Sequence, residues 1–387
     1  MTAAPGLILA VDLLRPPLTG VGRYTFELVR GLQAHPGAPA TRFLRNGRWT
    51  NDPLAGAEAV APTGPGARLR ARLAAHPLAA RVHRQFQHRR AQRALHGMED
   101  HLYHAPSLYL PPFSGPSVVT LHDLSVLHHP DCHPAGRVRV VARELPRTLA
   151  RAGHLITVTE AIRRELIEDH HVSPGRITAI HNGVDPGFHP RPAQDLAPVM
   201  AAHGLRPGGY ILCVATLEPR KNIPRLIRAH GRLPEPLRQH HPLVLAGAPG
   251  WNSGDIVDAI RDATRQGRVR HLRYVPQDHL PALYAGAALM AYPSLYEGFG
   301  LPVLEAMASG TPVVTSTDPA LVEVAHGAAL HVSPRDTAAL SAALERALED
   351  RCWREAARDR GLDRARQLTW SCCVERTVQL YHALMPR

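Results

Sequence analysis

The sequence is poor in lysine, aromatic residues and paired cysteines, and it has no long apolar run. Aromatic residues make up 5% of the 387 positions, and the five cysteines lack any C-x-x-C spacing and include a vicinal pair too close for an ordinary disulfide. No stretch reaches the roughly 18 uncharged apolar residues of a membrane span, and no basic region precedes the short apolar run near the N-terminus. These absences exclude an integral membrane protein and predict a reducing, cytoplasmic location.

The composition is that of a globular protein whose positive charge is almost entirely arginine. With 44% apolar and 20% charged residues, 387 positions suffice for two domains with hydrophobic cores, and disorder or a coiled coil is excluded for most of the chain. The net charge of +12 suggests an anionic partner, but arginine beside abundant alanine, glycine and proline is what a GC-rich coding sequence produces. We expect no nucleic-acid partner. Lys221 is the one lysine, and arginine replaces lysine poorly where a compact ammonium must fit.

Apolar runs typical of strands alternate with helical patterns, which predicts an α/β protein with doubly wound parallel sheets. In the first half the expected strands are Leu7–Val11, Val118–Leu121, Leu155–Val158 and Ile177–Ile180, with helices near Tyr24–Leu32 and Ala161–Asp169. A second series comprises Tyr210–Ala215, Leu243–Ala246, Leu289–Tyr292 and Val313–Ser316. The proline-rich stretch Asn182–Gly209 between them predicts a linker. We therefore expect domains at residues 1–190 and 191–367.

Residues 66–97 form a basic segment, because no acidic residue occurs between Glu58 and Glu99. Its arginines are Arg68, Arg70, Arg72, Arg81, Arg84, Arg89, Arg90 and Arg93. Interleaved apolar residues make the segment partly amphipathic, which predicts contact with an anionic membrane surface through Arg68–Arg93. The alternative is a solvated helix in an arginine-rich protein.

The segment Tyr292–Val314 has the pattern of a strand, a glycine loop, a short helix, a turn and a strand. Pro302 suits the first helical turn and Gly310 the end of the helix. Because Gly298 and Gly300 precede the helix, free N–H groups and the positive end of the helix dipole meet there, which suits a diphosphate.

Charged residues accompany this loop. Glu297 lies within it and Glu305 follows eight positions later, so two carboxylates can accept hydrogen bonds from two sets of hydroxyls. Arg220 and Lys221 follow the first strand of the second half and are expected to face the loop across the carboxyl ends of neighbouring strands. Two surface cations at the N-terminus of the helix that follows them would be electrostatically unfavourable, which favours a functional role for Arg220 and Lys221.

The string EGFGLPVLEAMASGTPVV, with its E-x7-E spacing, resembles the donor-site signature of retaining GT-B glycosyltransferases of family 4. The resemblance implies two Rossmann-like domains facing a cleft and a C-terminal helix, residues 368–387, that crosses back to the first domain. It implies that Glu305 holds the ribose hydroxyls of a nucleotide sugar, and that Glu297 holds hydroxyls of the transferred sugar. Arg220 and Lys221 would stabilise the diphosphate leaving group, together with the loop residues Gly298, Phe299, Gly300 and Leu301.

Three further sites follow from the same resemblance. Gly20 and Gly22 lie in a segment similar to the family's N-terminal glycine loop, which approaches the donor phosphates. His122 matches the histidine that contacts the transferred sugar near its reacting carbon. Val275 lies in a segment that resembles the loop against the nucleotide base.

The resemblance implies sugar transfer with retention, without a protein nucleophile and without a cofactor. The sequence has no D-x-D motif, so we expect no metal at the diphosphate. GDP-mannose is the first expectation for the donor and a UDP-hexose the second, with a saccharide or lipid-linked acceptor at the inner membrane face in polysaccharide synthesis. A GT-B nucleotide-sugar epimerase and a lapsed, non-catalytic polyanion-binding protein are the alternatives. The intact set Arg220, Lys221, Glu297 and Glu305 argues against the lapsed enzyme.

Overall fold

Two parallel sheets organise the chain in the computed structural model, which describes residues 5–57, 86 and 89–385. In this part of the chain the first sheet has seven strands in the order β3-β2-β1-β4-β5-β6-β7, and only β3 runs antiparallel to its neighbour. Its strands are β1 (Leu7–Ala10), β2 (Thr41–Arg45), β3 (Arg48–Thr50), β4 (Leu102–Ala105), β5 (Ser117–Leu121), β6 (His154–Thr157) and β7 (Ile177–Ala179).

The second sheet has six described strands, all parallel, in the order β10-β9-β8-β11-β12-β13. They are β8 (Ile211–Val214), β9 (Leu243–Ala246), β10 (Val269–Arg273), β11 (Leu289–Tyr292), β12 (Val313–Ser316) and β13 (Ala329–Val332). Alternate residues of its central strands enter two different apolar clusters, so both faces of the sheet are buried. This is the doubly wound arrangement expected from the sequence.

Helices cover both sheets. In the first domain they include α1 (Gly20–Ala34), α2 (Ser125–His128), α3 (Ala135–Arg151) and α4 (Glu160–Glu168). The following helices are α5 (Ala193–His203), α6 (Ile223–Gly231), α7 (Glu235–His240), α8 (Gly254–Arg265), α9 (Leu280–Ala285), α10 (Leu301–Ala308) and α11 (Pro319–Ala325). The chain ends with α12 (Thr337–Glu349), α13 (Arg351–Gln367) and α14 (Trp370–Leu384). None of the described helices is both long and apolar enough to cross a bilayer.

The predicted linker 182–209 is not an irregular connection along its whole length, because it contains α5. Leu196 and Met200 of this helix are buried in the core of the second sheet beside Tyr210, and apolar burial stabilises a helix that Pro198 disfavours. The boundary between residues 190 and 191 stays a prediction. Most of the basic segment 66–97 lies outside the described residues.

The C-terminal helix α14 packs on the first domain, as expected. Val374 faces Gly31 of α1 so closely that a Cβ at Gly31 would lie 2.3 Å from a Val374 methyl carbon. Tyr381 contacts the Nδ1 of the fully buried His104 at 2.6 Å through its hydroxyl. Burial lowers the pKa of His104 to about 3, so this histidine is neutral. The last helix thus contributes both apolar and polar contacts to the first core.

Candidate active site

The site lies where β8 and β11 end, because neighbouring parallel strands present their carboxyl ends at one edge of the sheet. β8 leads to a short 3-10 turn, Pro219–Lys221, that carries both cations, and Asn222 then adopts a left-handed conformation with φ 60° before α6 begins. The Asn222 side chain donates to the carbonyl of Pro293 at 3.0 Å, just after β11. This bond fixes the turn against the loop that carries Glu297.

Arg220, Lys221 and Glu297 form a buried cluster of charges. Arg220 Nη1 lies 2.9 Å from Glu297 Oε2, and Lys221 Nζ lies 2.6 Å from Oε1. Lys221 Nζ also donates to the hydroxyl of Tyr292 at 2.6 Å. Burial raises the pKa of Glu297, but Arg220 and Lys221 outweigh this effect and bring it to about 2. Two cations therefore share the carboxylate of Glu297. The carboxylate of Asp123 also acts on Arg220, which lowers the pKa of Asp123 against the effect of burial.

The glycine loop brings this cluster to the start of α10. Gly300 is the residue before the helix and has φ +96°, a backbone conformation that is strained for any residue with a side chain. Pro302 lies in the first turn of the helix, as predicted. Phe299 is buried and Leu301 opens the helix. In the first turn of α10 the N–H groups of Val303 and Leu304 donate to the Gly300 carbonyl at 2.9 and 3.3 Å, and Pro302 has no N–H. The backbone amides left for a ligand are therefore those of the glycine loop and of Leu301.

At Gly298 the backbone of the loop touches the backbone of the first domain. An added Cβ would lie 1.7 Å from the carbonyl oxygen of His122, which is far shorter than any real contact. The Thr159 hydroxyl donates to the Gly298 carbonyl at 3.0 Å. Glycine is thus required here by close backbone approach.

We expect Gly298→Ala to lower the rate of any reaction that uses both domains by about 10²-fold or more, because the two backbones must separate. Binding to the second domain alone should change by less than about threefold, since the loop amides remain. Gly254→Ala is the matched control, because a Cβ at Gly254 meets no atom within 4 Å. Steady-state kinetics and calorimetry measure the two quantities. An unchanged rate in Gly298→Ala would contradict the close approach.

Glu305 stands apart from the cluster of charges. The Tyr284 hydroxyl donates to Glu305 Oε2 at 2.8 Å. Burial raises the pKa of Glu305 to about 7, even though the hydrogen bond from Tyr284 lowers it. A carboxylate in this environment gains from hydroxyl donors of a ligand, which stabilise its charged form.

The first domain contributes His122 and the start of α1. His122 Nε2 contacts the carbonyl oxygen of Pro106 at 3.1 Å, and burial lowers the pKa of His122 to about 4, so its ring is neutral. The ring centroids of Tyr24 and His122 lie 4.8 Å apart. A Cβ at Gly20 would lie 3.9 Å from the Leu301 side chain, so the N-terminal ends of α1 and α10 meet across the cleft. Gly22 donates its N–H to the Thr19 hydroxyl at 3.3 Å.

Two family models match almost the whole chain. The model "Glycosyl transferases group 1" matches residues 202–364, and "Glycosyltransferase Family 4" matches residues 18–188. The O-antigen chain mannosyltransferase B of Escherichia coli is 36% identical over 379 residues, which cover 98% of this chain and 100% of that one. The chain belongs to glycosyltransferase family 4.

Solved structures agree with the fold of this glycosyltransferase. HepE from Anabaena, in complex with UDP-glucose, aligns with a TM-score of 0.75 at 18% identity, covering 98% of this chain and all of that one. WaaG, a glycosyltransferase involved in lipopolysaccharide biosynthesis, aligns with a TM-score of 0.71 at 16% identity, covering 97% of this chain and 99% of that one. The two-domain GT-B architecture is therefore confirmed.

The structure brings the predicted site residues of the glycosyltransferase into two groups. Arg220 and Lys221 both contact Glu297. Glu305 instead lies with Tyr284. Val275 is buried in the second core, next to the exposed Tyr274. The described residues include no group of three or more His, Cys, Asp or Glu side chains that could hold a metal ion.

Several residues of the site were not predicted from the sequence. Tyr284 and Tyr292 hold Glu305 and Lys221, and Asp318 accepts the backbone N–H of Glu297 at 3.2 Å. Burial raises the pKa of Asp318 to about 7. Tyr292 lies within the quoted motif, so its position next to the loop was the available signal. Nothing in the sequence pattern marked the contact made by Asp318.

Proposed function

We propose that the protein is a retaining mannosyltransferase that uses GDP-mannose and extends a saccharide or lipid-linked acceptor in cell-surface polysaccharide synthesis. One observation carries the proposal: two largely buried cations pair with Glu297 beside the glycine loop that precedes α10, where the loop meets the backbone of His122. The E. coli relative, an O-antigen mannosyltransferase, supports mannose as the sugar. Because HepE binds UDP-glucose in its solved structure, a UDP-hexose is the second donor candidate.

In this proposal the leaving group is stabilised electrostatically. Arg220, Lys221 and the loop amides of residues 298–301 take the negative charge that grows on the diphosphate as the bond to the sugar breaks. Glu297 holds sugar hydroxyls and Glu305 holds those of the ribose. The neutral His122 contacts the sugar near its reacting carbon, and a donor phosphate oxygen accepts the proton of the acceptor hydroxyl on the same face.

Thermal unfolding with nucleotides tests the donor. A ligand at a hundred times its dissociation constant adds about 2.7 kcal/mol, which moves the midpoint by several degrees in a chain of this size. We expect a shift with GDP and GDP-mannose, lost in Glu305→Ala. A shift with UDP compounds alone would assign a UDP-hexose donor. Conversion of UDP-GlcNAc without an acceptor would indicate an epimerase, and no shift with any nucleotide would indicate a lapsed enzyme.

We expect sugar transfer to survive removal of divalent metal. The cations and amides around Glu297 supply the charge that a metal supplies elsewhere. The measurement compares transfer rates before and after EDTA treatment, with added Mg²⁺ as the control. A strict need for Mg²⁺ or Mn²⁺ would contradict the proposed chemistry.

A peripheral position on the inner membrane face is also a proposal. It rests on the basic residues Arg68–Arg93 and on an acceptor linked to lipid. Sedimentation with anionic liposomes tests it, and Arg→Glu reversals between Arg81 and Arg93 should release the protein.

A further inference from the structure

Tyr296, the residue before Glu297, crosses from the second domain into the core of the first. Its side chain is 6% exposed and belongs to the apolar cluster that contains Leu124 and Leu166 of the first domain. The ring of His128 stacks on it with centroids 5.3 Å apart. The donor loop is therefore anchored in the opposite domain by a buried aromatic side chain.

The Tyr296 hydroxyl makes two hydrogen bonds in the first domain. It donates to Glu165 Oε2 at 2.7 Å and accepts the backbone N–H of Leu124 at 3.2 Å. Leu124 is two residues after His122, and Glu165 lies on α4. The carbonyl oxygen of Tyr296 accepts from Arg220 Nη1 at 2.6 Å. One residue thus connects the cation that pairs with Glu297 to the backbone beside His122.

Other contacts join the same two domains but use different groups. The Glu323 carboxylate of α11 accepts the backbone N–H groups of Glu160 and Ala161 at 2.8 Å each. It also contacts His181 Nε2 at 2.6 Å. These bonds attach α11 to the start of α4. Within the donor loop, the Gly298 carbonyl also accepts from the Thr159 hydroxyl. Tyr296 differs because it places a buried side chain of the donor loop in the core of the first domain.

We propose that Tyr296 is a positioning residue that fixes the docked arrangement of the two domains and thereby sets the rate of sugar transfer, while leaving nucleotide affinity unchanged. This inference rests on the proposed glycosyltransferase reaction. Sugar transfer needs the groups that bind the donor and the groups that bind the acceptor to be correctly placed relative to one another. A displacement of the reacting groups by about 1 Å costs about 10²-fold in rate. Apart from Gly20 and Gly22, the proposed nucleotide contacts lie in the second domain, and they do not need the Tyr296 hydroxyl.

Tyr296→Phe tests the proposal, because it removes the hydroxyl and keeps the buried ring. We expect exchange of the Leu124 amide hydrogen to accelerate by about tenfold or more, since this N–H loses its acceptor. We expect kcat to fall by about ten- to a hundredfold, with the KM for the donor and the Kd for GDP within about threefold of the wild type. Tyr210→Phe is the matched control, because it removes a buried hydroxyl that donates to Leu283 inside the second domain.

Two outcomes would overturn the proposal. One is an unchanged Leu124 exchange rate together with kcat within twofold of the wild type. The other is a loss of GDP affinity that parallels the loss of kcat, which would place the role of Tyr296 inside the second domain. If Tyr296→Phe does not fold, Glu165→Gln weakens the same bond and leaves Tyr296 in place. A wild type that transfers no sugar would refute the proposed function, whereas Leu124 exchange would still decide whether Tyr296 holds the domains.

Discussion

Replacing Lys221 with methionine is expected to lower kcat for sugar transfer by about 10³-fold, the scale seen when one preorganised group that stabilises developing charge is removed. Lys221 Nζ lies 2.6 Å from Glu297 Oε1, and desolvation by burial lowers the pKa of the ammonium although Glu297 raises it. A desolvated cation acts on a growing negative charge far more strongly than a solvated one. Methionine keeps the apolar stem and removes the charge together with the hydrogen bonds to Glu297 and Tyr292.

The folded state should tolerate this change. Lys221→Met leaves Arg220 paired with Glu297 at 2.9 Å and with the charge of Asp123 acting on it, so both carboxylates keep a cation. Glu297→Gln, in contrast, would remove the carboxylate that both cations contact and leave Lys221 without its ion pair, so this variant should unfold at a lower temperature. The comparison of the two variants by thermal unfolding separates a catalytic loss from a structural one.

Arg228→Met is the matched control for lost positive charge, because Arg228 is exposed on the helix that follows the Lys221 turn. It should leave kcat within about twofold of the wild type.

The protein also offers a chemical test, since Lys221 carries the one lysine side-chain amine. Reductive methylation should affect this amine, and bound nucleotide should protect it. A Lys221→Met enzyme that retains a tenth or more of the wild-type kcat would contradict the assigned role.

The sequence predicted the parts of the fold that follow from local pattern. β9, β11 and β12 begin and end where the apolar runs do. β10 and β13 were not predicted, because these edge strands are only partly buried and carry mixed polar residues. β4 was missed because it is a four-residue strand containing His104, whose burial depends on partners far away in the chain.

The same distinction applies to the site. Parallel-strand geometry predicted that Arg220 and Lys221 face the loop of Glu297, and the structure brings them into contact. Strand geometry alone did not predict that both cations pair directly with Glu297. Nor did it predict the crossing of Tyr296 into the first domain, because this contact depends on how the two domains dock. Such information lies in tertiary packing and leaves no periodic trace in the sequence.

Glu305→Gln is expected to weaken nucleotide binding by about ten- to a hundredfold, the range for losing hydrogen bonds to a buried charged acceptor. The groups that act on Glu305 are the Tyr284 hydroxyl, Arg23 and Asp185. Their effects are smaller than that of burial, which raises the pKa from its ordinary value of 4.5 to about 7. Glu305 is therefore only partly ionised at neutral pH in the free protein.

The sign of the pH dependence follows. For stability, the folded state holds a proton on Glu305 between pH 4.5 and about 7 that the unfolded chain has lost, so this group makes stability fall as pH rises through that range. For binding, ribose hydroxyls donate to the ionised form, so nucleotide affinity should rise by up to about tenfold per pH unit below the pKa and level off above it.

Calorimetry with GDP from pH 6 to pH 8 measures this slope, and binding near pH 7 should release protons into the buffer. Glu305→Gln should bind weakly with a flat profile, because its amide does not ionise. Tyr284→Phe removes the hydrogen bond that lowers the pKa of Glu305, so its nucleotide affinity should rise at a higher pH than that of the wild type. A pH-independent affinity in the wild type would mean that Glu305 does not ionise when nucleotide binds, and the ribose contact would then have to be assigned to another residue.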